Sequence, residues 1–140
     1  MENRSQQEGN IPTGTETILL ADDEDMILEL GQAILEKYGY TVLTALDGEK
    51  ALSVFAEERK QIDLIILDLS MPRFSGREAL ERIRQLDPDV KVLVSSGYSE
   101  KSETDQLEEL GATGYVPKPY TPSNLARAVR NALDAGNPLA

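Results

Sequence analysis

The sequence predicts an α/β domain: a parallel sheet covered by helices on both faces. Two observations predict it. Apolar runs of strand length alternate with helix-patterned stretches five times along the chain, with short connections. One of these runs, Leu64-Ile-Ile-Leu67, is continuously apolar and bounded by turn residues, as a strand buried on both faces must be. It runs into Asp68, which therefore stands where a central strand leaves the core, the place where open α/β sheets bind their ligands.

Each element has its own signals. Residues 1–16 are polar, with Gly9, Pro12 and Gly14 and almost no large apolar side chains, so a flexible lead-in is expected there. Thr17-Ile-Leu-Leu-Ala21 is the first strand, ending in Asp22-Asp23. Asp25 is placed to cap the helix that follows, with Ile27, Leu30, Ile34, Leu35 and Tyr38 on one stripe and Gly39 as its stop. Tyr40 to Thr44 is the second strand. The Asp47-Gly48 turn leads into a helix with Ala51, Leu52 and Phe55.

After the third strand, Ser75 opens a helix with Ala79, Leu80 and Ile83 inward. Asp87-Pro88 turns the chain into a fourth strand, Val90 to Val94, which ends in Ser95-Ser96-Gly97. The next helix, Glu100 to about Leu110, has only Leu107 and Leu110 as large apolar residues among Glu103, Asp105, Glu108 and Glu109. That pattern suits either a weakly held, moving element or a solvated acidic face. Tyr115-Val116 is a short fifth strand closed by Lys118-Pro119. Thr121 caps a last helix with Pro122 at its first position and Leu125, Val129 and Leu133 inward. The domain is thus expected over 17–136, with 137–140 as a C-terminal tail. Right-handed crossovers and five strands favour the flavodoxin-like order 2-1-3-4-5.

Composition narrows the chemistry. With 140 residues, 40 % hydrophobic and 28 % charged, one ordinary domain with a full core is expected. A net charge of −11 argues against nucleic acid as a direct partner. There is no cysteine and no histidine, so disulfide chemistry, the commonest transition-metal ligand and the commonest general base are all missing. A bound metal should be a hard cation held by oxygen. No stretch approaches 18 apolar residues and no basic-then-apolar leader opens the chain, so the default expectation is a cytoplasmic setting without membrane contact.

A lone aspartate after a strand is most simply a turn former. In the order 2-1-3-4-5, however, strands one and three are neighbours, so Asp22, Asp23 and Asp68 gather at one sheet edge. Carboxylates so placed repel one another unless a cation joins them. Mg²⁺ is the natural occupant, with its preference for carboxylates, water and a phosphate oxygen. Strands four and five bring Ser96 and Lys118 to the same edge, a hydroxyl and an ammonium for a phosphoryl group's remaining oxygens. An aspartate there can attack phosphorus while Mg²⁺ and Lys118 offset the charge.

These residues carry a resemblance. Asp22-Asp23, Asp68-Leu-Ser-Met-Pro-Arg-Phe-Ser-Gly76, Ser96-Gly97 and Lys118-Pro119 resemble the receiver domains of two-component response regulators, over about residues 17 to 135. The resemblance implies that Asp68 is the phosphoacceptor and Asp23 a direct Mg²⁺ ligand. Asp22 would assist through water, and the backbone carbonyl of Ser70 would complete the metal site. It makes Ser96 the hydroxyl switch, Tyr115 the aromatic switch and Lys118 the family's lysine, joined to Pro119 by a cis bond. Ser70 and Tyr98 fall where the family tunes hydrolysis of the acyl phosphate. Gly14-Thr-Glu-Thr-Ile-Leu19 and Ser96-Gly-Tyr-Ser99 further resemble the receivers of hybrid sensor histidine kinases, although free-standing regulators share some of this.

The implied function is a phosphoacceptor switch in a phosphorelay rather than a turnover enzyme. The donor would be a sensor histidine kinase or a histidine phosphotransfer domain, and the responding face the fourth helix, fifth strand and last helix. No DNA-binding or enzymatic output domain is expected after residue 136. Three rivals share part of the pattern. Phosphatases of the haloacid-dehalogenase type carry a second acid two residues after the nucleophile, where this chain has Ser70. A degenerate docking receiver would lack part of the acidic set, Ser96 or Lys118. A flavin-binding fold would need a Ser/Thr/Gly-rich phosphate loop after strand one.

Overall fold

The computed structural model describes residues 11–69, 71, 76–96 and 111–135. Its strands are β1 (Thr17–Ala21), β2 (Thr41–Ala45), β3 (Leu64–Asp68), β4 (Lys91–Ser96) and β5 (Gly114–Pro117). Its helices are α1 (Asp25–Lys37), α2 (Gly48–Glu58), α3 (Gly76–Leu86) and α4 (Pro122–Ala135). All strand pairs are parallel and the order is β2-β1-β3-β4-β5, as expected. The helix expected over 100–110 lies outside the described residues, as do Ser70, Tyr98 and the first ten residues.

Strand alternation divides the core in two. Leu19, Ala21, Ile65 and Leu67 point to one face, where Ala51 and Phe55 of α2 and Leu80 and Ile83 of α3 cover them. Ile18, Leu20, Leu64 and Ile66 point to the other, under Ile34 and Leu35 of α1 and Leu125 and Val129 of α4. Every residue of β3 is buried, which makes it the central strand and places Asp68 at its carboxyl end.

The helix ends follow local chemistry. Asp47 caps α2, its carboxylate accepting from Lys50 N at 2.7 Å. Thr121 caps α4 by accepting from Asn124 N at 3.1 Å. Gly39, at φ 106°, ends α1 in a backbone conformation other residues avoid.

Four expectations are corrected. Asp25 is the first residue of α1 and not its cap. The cap position is Glu24, which makes no side-chain capping bond, and its amide donates instead to Asp22 Oδ1 at 3.0 Å. Leu30 is 41 % exposed, whereas Leu28 and Gly31 join Ile34 and Leu35 on the buried face. The stripe is rotated because α1 packs through Gly31 against Leu20 and Tyr120. β2 runs one residue later than expected, leaving Tyr40 buried just before it.

Finally, residues 13–16 of the expected flexible lead-in are tied down. Gly14 N donates to Tyr38 O at 3.1 Å. Arg130 of α4 donates to Thr13 O at 3.2 Å and forms a 2.8 Å ion pair with Glu16.

Candidate functional site

Strand register assembles the site. Ala21 pairs with Leu67, so Asp22 and Asp68 emerge side by side at the tips of β1 and β3. Asp68 pairs with Ser95 and Ser96 with Pro117, which puts the Ser96 backbone and Lys118 at the next two tips along the same edge. Parallel strands end together, and residues far apart in sequence converge there.

Asp22 and Asp68 are 0 % and 1 % exposed, while Asp23 reaches solvent. One carboxylate oxygen from each of the three lies within 4.8 Å of the other two. Into this group projects Lys118, 13 % exposed, with Nζ at 3.0 Å from Asp22 Oδ2 and 3.4 Å from Asp68 Oδ1. Burial alone would lower the Lys118 pKa. The hydrogen bond to Asp22 and the charges of Asp68 and Asp22 outweigh it, and the net shift is upward. Lys118 is therefore a full cation.

Three carboxylates thus converge on a largely buried cleft, with Lys118 bridging two of them. The donors are all hard oxygens, converging from two strand tips, and they fit a hard divalent cation. Asp22 is held in place at the strand tip: its own amide donates to Ala45 O at 3.1 Å, and its Oδ1 accepts from Glu24 N at 3.0 Å.

The sequence-predicted residues are placed as follows. Asp22, Asp23, Asp68 and Lys118 are brought together. Ser96 reaches the same edge by its backbone; its side chain, like Ser70 and Tyr98, lies outside what is described. Tyr115 is not part of the acid cluster. It pairs with Val94, three residues before Lys118, and is half-buried against the core layer covered by α2 and α3. The Lys118–Pro119 bond is cis.

Sequence reasoning missed two residues beside the site. Tyr120 is 3 % exposed, and its hydroxyl donates to the buried Ser95 Oγ at 3.0 Å. A signal for Tyr120 was available. An apolar residue directly before a helix cap often packs on the fourth helical residue, here Leu125, which shares its core cluster.

A family model described as the response regulator receiver domain matches residues 18–130. The chain belongs to that family. Its relatives take part in phosphorelay signalling in several contexts. The receiver domain is 34 % identical to the sensor kinase CckA of Brucella abortus over 122 residues, covering 87 % of this chain and 13 % of the kinase. It is 32 % identical to the sporulation initiation phosphotransferase F of Bacillus subtilis, covering 84 % of this chain and 94 % of that protein.

The chain thus spans a small part of the kinase, and about half the length of the transcriptional regulators it also matches. A solved receiver domain from Clostridium thermocellum superposes with a TM-score of 0.82 at 33 % identity, over 89 % of this chain and 99 % of the other. No helix among the described residues is long and apolar enough to cross a membrane.

Proposed function

We propose that this receiver domain is a phosphoacceptor switch, taking a phosphoryl group onto Asp68 from a phosphohistidine of a sensor histidine kinase or histidine phosphotransfer domain. The observation that carries the reading is the convergence of Asp22, Asp23, Asp68 and Lys118 at one sheet edge. These 140 residues contain no histidine, so the imidazole donor lies outside the domain. A cytoplasmic setting, without direct contact to nucleic acid or membrane, goes with this role.

In the transfer, a carboxylate oxygen of Asp68 attacks phosphorus as the P–N bond of the phosphohistidine breaks. The leaving imidazole keeps the bonding electron pair and takes up a proton. Lys118, within reach of the Asp68 carboxylate, neutralises charge on a phosphoryl oxygen. Asp22, Asp23, Asp68 and the backbone carbonyl of Ser70 would hold Mg²⁺. That ion, when bound, supplies Lewis-acid stabilisation to the transferring oxygens. Asp22 is the residue already oriented for it.

The added phosphoryl group brings about −1.5 to −2 charges and new acceptor oxygens to a buried position. Ser96, next along the edge, donates to one of them, and Tyr115 follows into the space released. The face formed by the segment before β5, β5 itself and α4 then changes its preferred shape, a pre-existing equilibrium biased by one new contact. Ser70 and Tyr98, two residues beyond Asp68 and Ser96, set how readily water reaches the acyl phosphate. Asp68 is regenerated in that hydrolysis, so the domain assists its own phosphorylation and dephosphorylation without turning over a free substrate.

Mass spectrometry after treatment with Mg²⁺ and a small phosphodonor tests the acceptor. The wild type should gain one phosphoryl group and Asp68→Asn none; equal labelling of both would place the acceptor elsewhere. Turnover of a free phosphate ester would instead favour a phosphatase. For the switch, phosphorylated Ser96→Ala should bind a partner peptide as the unphosphorylated wild type does. Tyr98→Ala should change the lifetime of the phosphoryl group.

A further inference from the structure

Tyr120 has a role that its buried, aromatic character conceals. It follows the Lys118–Pro119 bond directly and turns inward while Lys118 turns toward the acids. Its ring lies against α1 at Gly31, where an added Cβ would sit 3.4 Å from two ring carbons and 2.7 Å from Leu20. Its hydroxyl ends on Ser95 Oγ at 3.0 Å. Ser95 is fully buried, pairs with Asp68 across the sheet, and accepts through its carbonyl from Leu69 N at 3.0 Å. The segment carrying the ammonium is therefore bonded, through one buried hydroxyl pair, to the residue beside the carboxylate that the ammonium serves.

We infer that the Tyr120–Ser95 hydrogen bond positions Lys118: it fixes the β5–α4 connection against β4 so that the lysine reaches Asp22 and Asp68 together. This rests on the phosphoacceptor reading of Asp68 for its functional consequence, and on geometry alone for its structural one. The bond is a strong choice for such a task. Both hydroxyls are removed from water, so deleting either one takes a hydrogen-bond partner from the other and a side-chain tie between the connection and β4 is lost. The ring itself, held by Gly31 and the surrounding core, stays in place when only the hydroxyl goes. Tyr120 and Ser95 touch no reacting atom; they are positioning residues.

Tyr120→Phe and Ser95→Ala separate positioning from packing when each is made in wild type and in Lys118→Met. If the bond acts through Lys118, each change slows phosphorylation by a small phosphodonor roughly fivefold in wild type, and less than twofold once Lys118 is gone. Equal slowing in both backgrounds, or none in wild type, overturns the inference. Urea unfolding of the same set gives an independent readout. The shift in midpoint caused by Tyr120→Phe should shrink when Lys118→Met is present, and equal shifts count against positioning. Should wild type take up no phosphoryl group, the receiver chemistry fails, and the unfolding comparison alone decides for or against the positioning role.

Discussion

Lys118 and Asp22, 96 residues apart in the chain, meet in a 3.0 Å ion pair that draws the end of β5 onto the tip of β1. Asp68 is the looser partner of the same ammonium, at 3.4 Å. Asp22 also accepts from Glu24 N through its other oxygen, so a divalent ion held by this cluster would compete with Lys118 for the Asp22 carboxylate.

Lys118→Met removes that competitor and takes from two buried carboxylates the ammonium they share. Loss of one partner from a buried ion pair costs about 3–5 kcal/mol. We expect a loss at the lower end of that range in the presence of a chelator, with most of it recovered on adding Mg²⁺, and tighter Mg²⁺ binding than in wild type. Urea unfolding with and without Mg²⁺ checks this; a loss that Mg²⁺ leaves untouched would separate the lysine from the metal site.

The clasp between residues 13–16 and α4 should register in acid. Hydrogen bonds from Arg130 hold the Glu16 carboxyl below its ordinary value, against an opposing effect of burial. A depressed carboxylate contributes stability that is complete above its unfolded pKa of about 4.3 and is lost as pH falls through the lower folded value. Glu16→Gln should thus be less stable than wild type by about 1 kcal/mol at pH 7. The difference should narrow toward pH 3, as read from urea midpoints at the two pH values. A constant gap would mean that packing, not charge, holds the clasp.

Gly39 combines a positive φ with a close approach of Gly14 O to the place a Cβ would occupy. Gly39→Ala should cost about 2 kcal/mol or more, because the left-handed conformation alone costs an L-residue ~1–2 kcal/mol and the backbone clash adds to it. Thermal or urea denaturation measures the loss. Mg²⁺ binding at the opposite sheet edge should be unchanged in the folded protein.

Gly76 lies at the other end of the molecule from Gly39, with no room for a side chain between α3 and the backbone of the acceptor strand. An added Cβ would collide with Asp68 O and sit 2.9 Å from Leu69 Cα. Gly76→Ala should displace the Asp68 carboxylate and slow phosphorylation at least tenfold, measured at a temperature where circular dichroism shows the variant folded. A normal rate in the folded variant would show that the strand end tolerates the shift.

Much of this arrangement was legible in the chain. The continuous apolar run before Asp68 marks a central strand, because only a strand covered on both faces needs apolar residues at every position. The Asp47-Gly48 and Thr121-Pro122 starts were legible because capping depends on neighbours in sequence. The α1 stripe was misjudged by the same logic. Leu28 and Leu30 are equally plausible by periodicity, and the choice of Leu28 depends on Gly31 meeting Leu20 and Tyr120, residues from other elements.

Alternation and short connections, both local properties, determined by themselves that this chain forms a five-stranded parallel sheet and that its acids stand at strand ends. Only the folded sheet decided which groups bond: that Lys118 prefers Asp22 to Asp68, that Tyr120 reaches Ser95, and that Arg130 ties Glu16 to α4. Such pairings depend on register and side-chain reach between segments tens of residues apart. Distances of a few tenths of an ångström separate one partner from another, and no periodic pattern along a chain encodes them.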